Sequence, residues 1–133
     1  MKWVITPLLD KQTILINTEG VVNETSLYAL LSEALETALK HNYSRCLIDL
    51  SRINGTRLGV SSIYDCASKI SGLTPHRRTR IANIIPGPFF EEFKFFETVC
   101  INRGLQVSTF VHKEPGIQWL TQGELPPTDP KKR

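Results

Sequence analysis

The chain has few of the features that mark specialised protein classes. Its apolar runs, Ile84-Ile85 and Phe95-Phe96 among them, fall far short of the roughly 18 residues a membrane-spanning helix needs. Met1, Lys2, Trp3, Val4, Ile5, Thr6 and Pro7 lead straight into strand-like sequence, so no signal peptide is expected. There are only three cysteines, Cys46, Cys66 and Cys100, with no C-x-x-C pair and no histidine beside them. That excludes a disulfide framework or a zinc site as the expected organiser. Each lies in an apolar segment, where a free thiol packs as a small hydrophobe, and the expected location is a reducing cytoplasm. The net charge is only +3, from 16 basic and 13 acidic side chains. Part of that excess sits in the last residues, where Lys131, Lys132 and Arg133 face Glu124 and Asp129. A bias this small does not argue for nucleic-acid binding.

Catalytic patterns are also missing. His41, His76 and His112 fall in separate connections, and neither a Ser-His-Asp order nor a G-x-S-x-G elbow occurs. Glu91 and Glu92 are adjacent, and on a helix they point about 100° apart, so they do not form an acid/base pair. No G-x-G-x-x-G or Walker loop is present. The expectation is a protein that is not an enzyme and carries no cofactor or metal.

What the chain does have is a core. Its 133 residues are 41% hydrophobic, enough for one folded domain but not for two. Residues 2–8 and 13–18 read as a β-hairpin whose first strand, carrying Pro7, belongs at a sheet edge. Gly20 and Asn23 punctuate the next connection. Leu27, Leu30, Leu31, Ala34, Leu35, Ala38 and Leu39 then form a full helical stripe, with Thr25 or Ser26 as the expected N-cap. A short strand follows over residues 45–50, then a polar loop through Asn54, Gly55, Thr56 and Arg57. The next helix is capped by Ser61 or Ser62, buries Ile63, Cys66, Ala67 and Ile70, and ends near Gly72. Residues 80–85 read as a strand stopped by Pro86-Gly87-Pro88. A helix with Phe89, Phe93, Phe96 and Cys100 on one stripe closes at Gly104. Leu105, Val107, Thr109 and Val111 alternate as a half-buried strand, and a short helix surrounds Ile117, Trp119 and Leu120.

The order β-β-α-β-α-β-α-β-α implies an α/β fold with a mostly parallel five-stranded sheet, opened by an antiparallel hairpin and joined by about four helices. Asn17, Asp49, Asn83 and Ser108 interrupt the apolar strands and suggest that one sheet face is incompletely covered. Residues 1–122 are expected to form the domain and 123–133 a flexible, Pro-rich basic tail.

This order, with Leu47-Ile48-Asp49-Leu50-Ser51 at the third strand, resembles the STAS domain of anti-sigma-factor antagonists and sulfate-transporter tails. Ser61-Ser62-Ile63-Tyr64 adds to the likeness, as do the stretch from Phe93 to Val99, Asn102-Arg103-Gly104, Val107 to Val111 and Trp119-Leu120. Together they are similar to a bacterial branch of small, single-domain, SpoIIAA-like proteins, over roughly residues 3 to 121. The resemblance implies a SpoIIAA-like fold and a regulatory module that binds a protein partner or small ligand without catalysis. It also implies a phosphorylatable serine at the start of the second helix, at Ser61 or Ser62. Here the family's Asp-Ser-Ser-Gly signature is replaced by Val60-Ser61-Ser62-Ile63.

Several residues are candidates for a site, each with a plainer structural reading beside it. Ser61 and Ser62 stand at a helix N-terminus that would favour an added phosphate, or one of them simply caps the helix. Asp49 lies at the carboxyl end of a central strand, where open α/β sheets hold ligands. With Asn54, Tyr64 and the Gly87 turn it would line a ligand edge, unless its carboxylate merely serves the loop backbone. Arg77, Arg78 and Arg80 form a basic stretch fit for phosphates, lipid headgroups or an acidic surface, or simply a solvated face. Phe90 or Phe95 should escape the core and mark a contact surface. The leading expectation is partner binding through the second helix, with an unknown protein or a second copy in a homodimer. Peripheral membrane contact is compatible with it, and a transmembrane segment or nucleic-acid binding is not expected. The alternative is a carrier or sensor of a small apolar or anionic ligand.

Overall fold

A computed structural model describes residues 1–73 and 79–122. The elements are β1 (Lys2–Leu8), β2 (Thr13–Asn23), α1 (Glu24–His41), β3 (Arg45–Arg57), α2 (Val60–Ser71), β4 (Arg80–Ile84), α3 (Phe90–Asn102), β5 (Gln106–Phe110) and α4 (Lys113–Thr121). The strands lie side by side in chain order, β1 antiparallel to β2 and the rest parallel. This is the expected α/β sheet, and β1, with Pro7, is an edge.

Strand alternation divides the core. Ile14, Ile16, Cys46, Ile48, Ile81 and Val107 point to one face, where they pack with Leu27, Leu30 and Leu31 of α1, Ile63 and Ile70 of α2, and Phe93 and Phe96 of α3. Leu47, Ala82 and Ile84 point to the other face, which α4 covers with Leu120, Ile117 and Trp119. Among the described residues, three helices therefore cover one face and one short helix the other. Asn17 is exposed and Ser108 half-buried on the α4 side, whereas Asn83 is buried on the three-helix side.

Some local expectations are corrected. The N-cap of α1 is Asn23, whose side chain accepts from the Ser26 amide at 2.8 Å, while the Asn23 amide donates to Ser26 Oγ at 3.0 Å. Ser26 thus closes a reciprocal capping box from the third helical position rather than capping the helix itself. Leu39, in the last turn of α1, is exposed and lies outside the buried stripe. Gly20 and Asn23 belong to β2, not to a connection, and residues 54–57 extend β3 rather than forming a loop. Pairing with β2 outweighs the turn propensity of Asn54-Gly55, at the cost of two register slips. As expected, Gly104 closes α3 with φ +86.

Gly116 lets α4 approach the sheet closely: a Cβ there would stand 2.8 Å from Ile84 Cδ1 and 3.3 Å from Phe110. Gly116→Ala gains about 1 kcal/mol of helix propensity against that crowding, so it should be nearly neutral. Gly116→Leu should cost about 1–3 kcal/mol by overpacking, measured by urea unfolding. All three cysteines are buried and free. Burial pushes the Cys46 and Cys66 thiols up to about 12 and Cys100 higher still. A thiol reagent at pH 8 should leave the native protein unlabelled and modify all three cysteines in urea.

Candidate interaction face on the second and third helices

The extension of β3 sets this region up. Beyond Asp49 the β2–β3 register slips twice, the second time between Gly20 and Val21, where Asn54 is the extra residue. Thr56 Oγ1 then donates to Glu92 Oε2 at 2.5 Å, which ties the end of β3 to the first turn of α3. This charge-assisted bond holds the Arg57-Leu58-Gly59 connection against the helix layer just where α2 begins.

Gly59, in an extended conformation, is the N-cap of α2, with no side-chain cap. The expectation that Ser61 or Ser62 caps the helix is therefore corrected. Because the helix starts at Val60, the serines occupy its second and third positions, Ser61 exposed and Ser62 half-buried. The first-turn amides and the positive end of the helix dipole lie beside Ser61, with no acidic residue in that turn.

Helix α2 buries Ile63, Cys66, Ala67 and Ile70 at helical spacing, which leaves Val60 and Tyr64, four residues apart, on the outer side. Val60 is 64% and Tyr64 44% exposed. Tyr64 is nevertheless fixed. Phe95 of α3 meets its ring edge-to-face with centroids 5.7 Å apart, and the Arg103 guanidinium lies over it at 5.5 Å. Arg103 is itself held, with Nε donating to Ser68 Oγ at 3.1 Å and Nη1 to the Val99 carbonyl at 3.4 Å. The result is an exposed apolar ridge of Val60 and Tyr64, braced by Phe95 and flanked by a cation.

The other expected site residues lie elsewhere. Asp49 is on the α4 side of the sheet. Its Oδ1 accepts from the Ser51 amide at 3.0 Å and the Ser51 hydroxyl at 2.5 Å, and Oδ2 lies 3.3 Å from Lys113 Nζ. Burial alone would raise its pKa, but the two Ser51 bonds and the Lys113 charge outweigh that and hold it below the ordinary value. The sheet separates Asp49 from Tyr64 and Ser61, so these residues do not converge on one pocket. Asn54 is exposed in its register slip, and Gly87 is exposed in the short turn ahead of α3. Phe90 and Phe95 are both half-buried. Arg80 opens β4, donates to the Trp119 carbonyl at 2.8 Å and stacks 5.2 Å over the Trp119 ring. Arg77, Arg78 and the tail at 123–133 lie outside the described residues.

Val60, Arg103, the Thr56–Glu92 bond and Lys113 were not identified as site residues from the sequence. The i, i+4 spacing of Val60 and Tyr64 was the available signal for the ridge. Nothing local announces the long-range partners of Arg103 and Glu92.

A depressed pKa at Asp49 stabilises the fold above the unfolded carboxyl value near 4, and that contribution is lost as pH falls through the folded value. Asp49→Asn keeps an oxygen for the Ser51 donors but removes the charge that strengthens those bonds, so it should cost up to about 1 kcal/mol at pH 7, with little of that from the solvent-screened Lys113 pair. The gap to the parent protein should close as urea unfolding is repeated toward pH 3.

Comparison with known proteins gives a clear fold and little else. No family model matches the sequence, and no curated protein does. Among solved structures, the chain is similar to an uncharacterized protein of the DUF3478 family with a SpoIIAA-like fold from Shewanella loihica PV-4. The two share 19% identity over 90% of this chain and 92% of the other, with a TM-score of 0.53. Among the described residues, no helix is long and apolar enough to cross a membrane. The antiparallel opening hairpin, the parallel strands in chain order and the four helices are thus those of a SpoIIAA-like fold.

Proposed function

We propose that this protein is a non-enzymatic regulatory module of STAS type that binds a protein partner through the ridge of Val60, Tyr64 and Phe95. The observation that carries this reading is Tyr64, which is exposed yet held from two sides by Phe95 and Arg103. An exposed aromatic ring already fixed in place loses little entropy on binding, and such residues dominate interface energetics. The partner is another protein or a second copy of the chain. Ser61, exposed in the first turn of the same helix, is where phosphorylation would act on docking. A phosphate would add about −1.5 to −2 charges beside the ridge.

A photo-crosslinking residue at position 60 tests this in cells. The expected outcome is one discrete protein adduct from position 60 and none from position 4, where Val4 is equally exposed but lies on β1. Tyr64→Ala should weaken binding of the captured protein by about 2 kcal/mol, and so reduce the adduct, while leaving the circular dichroism spectrum unchanged. Equal adducts from both positions, or adducts unaffected by Tyr64→Ala, would contradict the proposal.

A further inference from the structure

Helix α3 has a side that neither the sheet nor α2 takes up. Phe93, Phe96 and Cys100 are buried in the core beneath it, while Phe95 meets Tyr64 and Arg103 reaches Ser68 on the α2 flank. Phe90, Lys94, Glu97 and Ile101, at i, i+4, i+7 and i+11, share the remaining side, within about 60° of arc. The helices lie in the order α1, α2, α3, with α2 touching both others. This side therefore faces the rim beyond β5, and among the described residues no strand follows β5 in the sheet. Ile101 is 50% exposed there and Phe90 half-buried. Lys94 Nζ donates to Glu97 Oε2 at 2.8 Å, but Glu97 Oε1 has no hydrogen-bond partner although the residue is almost wholly buried. An acceptor so placed is costly to leave unmet.

We propose that this side of α3 is a self-association surface, on which a second copy of the chain packs its own α3 antiparallel about a twofold axis. The stripe reads apolar, basic, acidic, apolar. Reversed against itself, it sets Phe90 beside the partner's Ile101 and Lys94 beside the partner's Glu97, and the twofold repeats both pairs. A parallel copy would oppose like charges, so the charge order selects the antiparallel arrangement. It also selects the chain itself as occupant, because the stripe is its own complement. The Lys94 ammonium has three N–H groups and gives one to its own Glu97. Another serves the partner's Glu97, whose soft terminal torsion lets Oε1 turn toward it. Phe90 and Ile101 supply most of the affinity, since exposed ion pairs are screened by solvent. One helix pair buries less than a standard interface, so the Kd should be on the order of 10–100 μM. The α2 ridge lies on the opposite flank of α3, so this inference does not depend on that reading.

Sedimentation velocity of the full chain from about 1 to 300 μM, a range that brackets this Kd, tests it. A reversible shift from monomer to dimer is expected. Ile101→Asp and Lys94→Glu, both at exposed positions, should each weaken it about tenfold or more, and Tyr64→Ala should leave it unchanged. Lys94→Glu and Glu97→Lys should each be monomeric alone but pair when mixed, because their stripes become complementary. A circular dichroism spectrum checks that each variant is folded, and if Glu97→Lys is not, the two variants at exposed positions decide the matter. Four outcomes would overturn the proposal: a monomer at every concentration, a dimer that Ile101→Asp and Lys94→Glu leave intact, folded charge variants that do not pair when mixed, or a dimer lost with Tyr64→Ala. The last would place self-association on the ridge instead.

Discussion

The alternation of β3 is the constraint on which the rest of the structure depends. Cys46, Ile48 and Leu50 point into the three-helix layer, while Leu47 points to α4. A strand that is apolar on both sides must be covered on both sides, and parallel neighbours joined by right-handed crossovers supply that cover. The cover is unequal because β2 and β5 are less apolar on the α4 side, where Asn17 and Ser108 stand in place of aliphatic residues. One nine-residue helix, brought close by Gly116, is then sufficient for the central strands.

The same strand positions the surface features. Its extension past Asp49 carries Thr56 to Glu92, and so fixes where α2 starts relative to α3. With the two helices in place, Tyr64 falls between Phe95 and Arg103. The ridge is an exposed feature resting on a core in which Phe93, Phe96 and the central Ile and Leu side chains are almost fully buried. Geometry of this kind suits recognition at a surface.

Much of the fold was legible because it rests on periodicity. The α1 stripe, the hairpin with Pro7 at its edge, the Gly104 closure and the order of strands and helices all follow from local spacing and turn chemistry. What was not legible depends on partners distant in sequence. Asn54-Gly55 reads as a turn, yet pairing with β2 holds it in a strand. Ser61 and Ser62 look like caps, yet the cap is Gly59, two residues before Ser61. Asp49 and Tyr64 looked like neighbours at one strand edge, but two-residue alternation places Asp49 on the α4 side while Tyr64 rides on a helix of the other layer. The face a residue points to depends on register, and register past a bulge cannot be counted from the sequence.

The central proposal is that this chain acts through its surface and not as a carrier of a bound small molecule. Native mass spectrometry of the freshly purified protein, set against its denatured mass, tests that directly. The expected result is the mass of the 133-residue chain or an integral multiple of it. A small additional mass that is released on denaturation would contradict the claim and make the protein a carrier of a bound ligand.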